Sequence, residues 1–426
     1  MKKSIGVILV LLAVLFATGC GSTVSSAKRD NFAYIYGRGP AQLRLNARVY
    51  HSSMDHSTVY YKLNTKDLLY KSDGSGGPFR AVVRITYEAY ADWNTRTLLD
   101  SASTLVQDKS EDTDEDKELI GSMDLRRKDQ RSFVLKVMAR DLNRDNESTV
   151  FLRVERDGES TRQYFMPVDT AKGLPLFDDH RMVGGSVRVR SEVFAGRTLW
   201  GQYFSATDQL PTPVFTTGGG KASIAGPDST FTINVPEDGN FLMELEKAGT
   251  YHLRADTTTE MGYTLFSLAE SYPYVGTAED MLRPMRYITS LQEYDRISKS
   301  PNVRQAIERF WIDAAGERER AREAIRIYYG RVENANRHFT STVEGWRTDR
   351  GLVHIIFGIP NSIYKSDLSE TWIYGEENNL MSLTFTFVKR SGPHSENDLV
   401  LERDPLLKGA WYRNVESWRN GRVYQN

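Results

Sequence analysis

The chain has 426 residues, 55 basic against 56 acidic side chains, and a single cysteine. Its length exceeds what one small core fills and points to two or three domains. The near-zero charge and the lack of a basic stripe exclude a nucleic-acid partner, and one cysteine excludes a framework of internal disulfides.

The first twenty residues read as an export signal. Lys2 and Lys3 precede a short apolar run from Ile5 to Phe16, too short for a permanent membrane span, and Ala17-Thr18-Gly19-Cys20 follows. Small residues before the only cysteine resemble a bacterial lipobox, with Ala17 where a leucine is usual. Residues 1–19 are therefore expected to be a cleaved signal peptide and Cys20 a lipid-bearing N-terminus. Two or more acyl chains hold a protein on a membrane by apolar burial alone. Residues 20–30 form a small, flexible linker. No aspartate directly follows Cys20 and no acidic cluster lies near it, which places the expected anchor in the outer membrane, facing the periplasm.

Residues 31–160 read as strands. Leu43, Leu45, Ala47 and Val49 alternate with polar neighbours, and so do Phe79, Ala81, Val83, Ile85 and Tyr87. Phe133, Leu135, Val137 and Ala139 repeat the pattern, as do Val150, Leu152 and Val154. Period two with one apolar face predicts antiparallel strands over a core, separated by turns such as Lys71 to Pro78. The expectation is an immunoglobulin-like β-sandwich. The acidic run Asp108 to Glu118 lacks the glycine and ligand spacing of a calcium loop and is expected to be a solvated hairpin loop.

A second β-sandwich is expected over residues 161–275. Val187, Val189 and Val193 alternate with polar residues, and Phe231, Ile233 and Val235 form another apolar face. Gly249 to Ala255 reads as a late strand in which a glycine turn precedes a buried tyrosine, Tyr251. Gly218-Gly219-Gly220-Lys221 fails as a phosphate loop, since Ala222 stands where a metal-holding hydroxyl is needed. Seven dispersed histidines show no ligand spacing, so neither metal nor other cofactor is expected.

Residues 276–426 change character. Met281, Met285, Ile288, Leu291, Tyr294 and Ile297 recur at helical steps. Ser300-Pro301 predicts the start of the next helix, with Val303, Ile307, Phe310 and Trp311 on one face. Glu317 to Phe339 predicts a further helix whose opposite face carries Arg318, Glu319, Arg320, Arg322 and Glu323 as solvated ion pairs. Then come Glu344-Gly345-Trp346-Arg347-Thr348-Asp349-Arg350-Gly351, an apolar strand from Leu352 to Phe357, and a Gly358-Ile359-Pro360-Asn361 turn.

This order of elements resembles the GWxTD-domain family of bacterial envelope proteins, through Gly345, Trp346, Thr348 and Asp349. The likeness runs back over Arg331 to Phe339 and forward to Glu370-Thr371-Trp372-Ile373-Tyr374 and Leu383-Thr384-Phe385-Thr386-Phe387. It implies an α+β unit common in Bacteroidetes-type envelopes, with no assigned reaction. The whole chain is then a mainly β, multidomain protein, with two sandwiches, a helical segment and an α+β C-terminal domain.

Gly345, Trp346, Thr348, Asp349, Gly351, Gly358, Pro360, Trp372 and Tyr374 are the motif positions, expected to be structural or docking residues. Trp346 is expected to bury its ring after the helix. Thr348 and Asp349 suit a turn or a helix-end hydrogen bond, and Gly351 and Gly358 bracket the apolar run. A catalytic set of Asp349, Arg350 and His354 is the alternative, although no nucleophile or second carboxylate is tied to them by spacing. The expected role is a non-enzymatic scaffold or accessory subunit of an outer-membrane assembly or secretion complex, with an outer-membrane or periplasmic protein as partner. The other reading is a glycan- or peptidoglycan-binding lipoprotein, using Tyr60, Tyr61, Tyr87, Tyr90 and Trp93 as an exposed aromatic platform.

Overall fold

The alternating segments of the first half become strands arranged in two antiparallel sheets around one core. A computed structural model describes residues 30–37, 43–72, 74, 76–95, 97–112, 115–126, 131–156, 158, 160–217, 226–377, 379–390, 392 and 394–422. Cys20, the signal segment and the glycine run at 218–220 lie outside the described residues. Strands β1 (Asn46–His51), β2 (Ser57–Asn64) and β5 (Glu118–Leu125) form one sheet in the order β1-β2-β5. Strands β3 (Phe79–Tyr90), β4 (Leu98–Ser110), β6 (Phe133–Asp141) and β7 (Asn146–Val154) form the other, in the order β4-β3-β6-β7. Val59 and Leu63 of the first sheet share a core with Val83, Ile85, Tyr87, Leu135 and Val137 of the second. The period-two reading of β3 holds from Ala81 to Ala89, whereas Phe79 at the strand's entry is exposed.

The acidic run is not a hairpin loop. Asp108 is still in β4, Glu118 opens β5, and these strands belong to different sheets, so the segment crosses from one sheet to the other. Several of its described charges are paired at the crossing. Lys117 Nζ lies 3.0 Å from Asp108, Lys66 Nζ 2.8 Å from Asp116, and the Tyr70 hydroxyl donates to Asp108 at 2.6 Å.

A second pair of sheets follows. Strands β8 (Met166–Val168), β10 (Gly185–Arg190) and β13 (Asn240–Leu245) face a five-stranded sheet across a shared core. That sheet runs β12-β11-β14-β15-β9, with β9 (His180–Met182), β11 (Thr198–Ser205), β12 (Ser229–Asn234), β14 (Gly249–Arg254) and β15 (Gly262–Leu268). All pairs are antiparallel except β9 with β15. Tyr251 is buried as expected, and its hydroxyl bonds back to the Lys247 backbone, accepting from N at 3.0 Å and donating to O at 3.2 Å.

The C-terminal part is helical and then mixed. Helix α1 (Ala278–Leu282) is capped reciprocally by Thr277 and Asp280, and α2 (Leu291–Ser298) by Ser290 and Glu293. Helix α3 (Val303–Ala315) starts later than Ser300-Pro301 suggests. Asn302 is its cap, accepting from Gln305 N, while the Ser300 hydroxyl accepts from Asn302 N at 3.3 Å in the turn before it. Helix α4 (Arg318–Phe339) follows as expected. Leu352 to Phe357 is not a strand: it lies in α5 (Asp349–Phe357), whose nine residues are all buried. A helix buried on every side shows no polar stripe, so its apolar run looks like that of an interior strand. An antiparallel sheet then runs β16-β17-β18-β19, from β16 (Ser362–Lys365), β17 (Ser369–Tyr374), β18 (Leu383–Lys389) and β19 (Leu399–Leu401). Helix α6 (Lys408–Arg419) closes the unit.

Contacts join residues 31–426 into one compact unit. Two segments from outside the C-terminal region complete its core. Phe32 and Tyr36, which precede the first sheet, pack there, and so does Val214 from the second pair of sheets. Phe32 N donates to Ile363 O at 2.9 Å, so the N-terminal segment runs along β16. Phe32 and Tyr36 thus contribute to the core of the C-terminal region, while Leu43 and Leu45 belong to that of the first two sheets.

Candidate functional site

The motif forms the corner between α4 and α5. Gly345, Trp346 and Arg347 make one 3₁₀ turn against the end of α4. A Cβ on Gly345 would lie 1.9 Å from the Ala335 carbonyl, so only glycine lets the turn approach the helix this closely. Asn336 on α4 holds the turn from below. Its Oδ1 accepts from Trp346 N at 3.1 Å, while its Nδ2 donates to Pro273 O at 3.0 Å.

Trp346 is buried, 5% exposed. Its ring lies 5.5 Å from the Arg283 guanidinium and 5.9 Å from the Tyr287 ring, and its carbonyl accepts from the Tyr287 hydroxyl at 2.9 Å. Arg347 pairs with Glu344 at 2.7 Å and donates to the carbonyls of Thr207 and Gln209. It therefore pins a loop of the second pair of sheets onto the motif.

Thr348 caps α5, accepting from Gly351 N at 3.0 Å and donating to Gly345 O at 2.8 Å. Gly351 sits inside the helix, where it needs room rather than an unusual backbone angle: a Cβ there would be 2.0 Å from Gly345 O. Asp349 reaches across to the sheet. Its Oδ1 accepts from Arg403 Nη2 at 2.6 Å and its Oδ2 from Leu401 N at 2.8 Å, which ties the helix start to β19. Gly358 ends α5 at φ +84, and the Tyr374 hydroxyl donates to its carbonyl at 2.8 Å. Pro360 is buried in the following turn.

Behind the corner lies a buried charged cluster centred on Glu370. Its Oε1 accepts from the Tyr36 hydroxyl at 2.9 Å and from Trp372 Nε1 at 2.7 Å. Its Oε2 accepts from Arg350 Nη1 at 3.1 Å, with Lys365 Nζ at 3.5 Å. Burial works to raise the Glu370 pKa, but Lys365, Arg350 and the two neutral donors outweigh it and hold the carboxyl below its usual range. Arg350 also donates to Asn397 O and Oδ1, both at 2.9 Å, and lies 5.0 Å from the Phe339 ring. Trp372 packs fully buried between Phe339 and Phe387.

Asp349, Arg350 and His354 do not converge. Asp349 turns to Arg403, Arg350 to Glu370, and His354 to Asn334, whose Nδ2 is 3.0 Å from His354 Nε2. All three are buried, and burial together with Arg331 pushes His354 down to about 3, leaving a neutral imidazole. The arrangement holds charge in fixed pairs and presents no nucleophile beside a base.

The expected aromatic platform is also dispersed. Tyr61 and Tyr87 lie in the first core, Tyr90 bonds Glu88 at 2.8 Å, Tyr60 accepts from Arg190, and Trp93 packs on Phe32 and Phe151. An open groove of about 1040 Å³ runs between Tyr287–Ser290 and α6, lined by Trp411, Tyr412 and Val415. Sequence reasoning missed Tyr36, Asn336, Lys365, Glu370 and Arg403. The available signal was Glu370, a carboxylate two residues before a tryptophan, hence on the same face of the strand.

Such a chain is a β-rich, multi-sheet protein ending in an α+β unit whose signature turn is a structural corner. Residues 249–420 match the family described as GWxTD domain, so the C-terminal region of the chain carries a GWxTD domain. The matched region takes in β14 and β15, so it begins within the second pair of sheets. No curated protein matches the chain. A calcium-binding mutant of Bacteroides uniformis beta-glucuronidase 2 is 16% identical over 26% of this chain and 13% of its own, with a TM-score of 0.17. Red sea bream transglutaminase is 9% identical over 55% of this chain and 32% of its own, at 0.19. The chain thus spans about an eighth of the glucuronidase, and likeness at this level carries no argument about fold or function.

Proposed function

We propose that this protein is a lipoprotein anchored in the outer membrane through Cys20, facing the periplasm, and acting as a non-enzymatic scaffold or accessory subunit of an assembly or secretion complex. The observation that carries the reading is the lone cysteine directly after a short apolar signal segment. The charged groups of the GWxTD corner support a scaffold, since they are spent on internal pairs that lock α4, α5 and the last sheet together. Buried charges held this way fix one arrangement of elements. We read the two sheet pairs as immunoglobulin-like sandwiches, supported by their antiparallel strands and the Tyr251 corner. Fractionation of a Cys20→Ser chain tests the anchor. The variant should leave the membrane fraction or retain its signal segment; unchanged processing and membrane retention would refute it.

A further inference from the structure

The chain enters the C-terminal sheet at one end, and the same end holds two apolar side chains in water. Asn31 docks at the start of β16: its Nδ2 donates to Asn361 O at 2.8 Å and its Oδ1 accepts from Ile363 N at 2.9 Å. Phe32 N then bonds Ile363 O, and the Tyr36 hydroxyl accepts from Lys365 Nζ at 2.7 Å, so residues 31–36 run alongside β16 in its own direction. Asp30 and the chain before it therefore join the fold at the Asn361 end. Asn361 also holds the base of the β17–β18 turn there, its Oδ1 accepting from Gly375 N at 2.7 Å. Within that turn Asn379 Oδ1 accepts from Met381 N at 2.9 Å, and Ser382 Oγ donates to Glu376 O at 2.7 Å. These bonds fix a turn that presents Leu380 and Met381, 101% and 86% exposed, where polar residues are usual. Leu380 is the most exposed large apolar side chain among the described residues.

We propose that the Leu380–Met381 tip inserts into the lipid surface that carries Cys20, a second apolar contact that orients the C-terminal sheet on the membrane. The proposal rests on the Cys20 reading for its direction. Cys20 and Asn31 are 11 residues apart, so an anchor at Cys20 keeps the Asn361 end within roughly 40 Å of the bilayer. A tip at that end meets the surface. Leu368, 72% exposed in the β16–β17 turn, lies at the opposite end of the sheet and does not. Membrane binding scales with buried apolar area, so two side chains are too few to hold the protein alone; beside an acyl anchor they need only set its tilt. The segment from Tyr374 to Leu383 has no lysine or arginine and contains Glu376 and Glu377, so it suits a zwitterionic surface rather than an anionic one.

Fluorescence on vesicles of phosphatidylethanolamine and phosphatidylcholine tests it. Residues 21–426 are ligated through the amine of Gly21 to a synthetic diacyl lipid, which makes the outcome independent of whether Cys20 is acylated in the cell. An environment-sensitive dye on Leu380→Cys should shift to the blue and be quenched by brominated lipid several-fold more than the same dye on Leu368→Cys, at low and high salt alike. Leu380→Cys should leave the melting temperature unchanged, because the side chain faces solvent. Equal quenching at the two positions, or none at position 380, would overturn the proposal. So would quenching that requires phosphatidylglycerol, or shielding of position 380 by a protein in native membranes without contact to lipid. The two readings fail separately. A native chain absent from membranes, with the ligated chain still quenched at position 380, removes the Cys20 anchor and leaves the tip; a membrane-bound native chain whose tip reports water removes the tip and leaves the anchor.

Discussion

Replacing Trp346 with alanine asks whether the motif holds the fold or meets a partner. The substitution keeps the backbone bonds to Asn336 and Tyr287 and removes only the ring. Truncating a buried tryptophan costs about 3–5 kcal/mol. Loss of the Arg283 contact adds about 0.5–1 kcal/mol, since that guanidinium is part exposed. The ring already borders a small, partly open space of about 30 Å³, lined by Tyr272, Asn336 and Glu344. Those walls are tied by hydrogen bonds to α4 and the motif, so they cannot collapse into the gap. The sum is about 5 kcal/mol, a large share of a domain's roughly 5–15 kcal/mol. At about 2–4 °C per kcal/mol for a unit of this size, the melting temperature should fall by roughly 10–20 °C. Near-ultraviolet circular dichroism during heating follows it directly, because the core is rich in tryptophan. A Trp346→Ala protein that melts like wild type but no longer recovers a partner would refute the structural reading and make the motif a docking site.

Other consequences follow from the same contacts. Glu370→Gln leaves Arg350 and Lys365 buried without their carboxylate and should cost about 3–5 kcal/mol, read as a fall in denaturant midpoint with unchanged slope; a neutral result would contradict the buried-cluster account. Gly345→Ala should be worse than Thr348→Ala. The first drives a methyl into the Ala335 carbonyl, whereas the second removes one cap worth about 0.5–2 kcal/mol. Glu155 introduces a pH dependence. Burial raises it, neighbouring Glu396 raises it further, Arg162 and Lys389 oppose, and the result is about 7. Arg162, which pairs with Glu396, is itself flanked by Arg48 and Asp179, and the His51 ring bonds the Glu155 carbonyl. A raised carboxyl favours folding below its unfolded value of 4.5 and loses that contribution as pH rises through about 7. Glu155→Gln should therefore raise the melting temperature at pH 8 and change it little at pH 5; equal shifts at both would contradict the assignment.

Much of the fold was legible where one face is wet. The alternation in β3, the Tyr251 corner and the long α4 all show their periods because polar residues mark the solvent side. The wholly buried α5 offered no such mark. The acidic run looked like a hairpin loop because nothing local in it states which sheet comes next. At the motif, a turn or helix-end hydrogen bond at Thr348 was readable, but not that it caps a following helix. The reach of Asp349 to Leu401, 52 residues on, was not, nor was that of Tyr36 to Glu370 across 334. Long-range polar pairs leave no periodic trace. Their only sequence signal is a charge in an apolar element, as at Glu370.

The claim that this chain is an anchored interaction subunit is tested most directly by cross-linking the tagged protein in intact native membranes and identifying what remains attached after stringent solubilisation. The account predicts a membrane-fraction complex in which an envelope protein recurs at fixed stoichiometry and cross-links map to exposed surfaces rather than to the GWxTD corner. Recovery of the chain as a soluble species, with no partner above background, would contradict it.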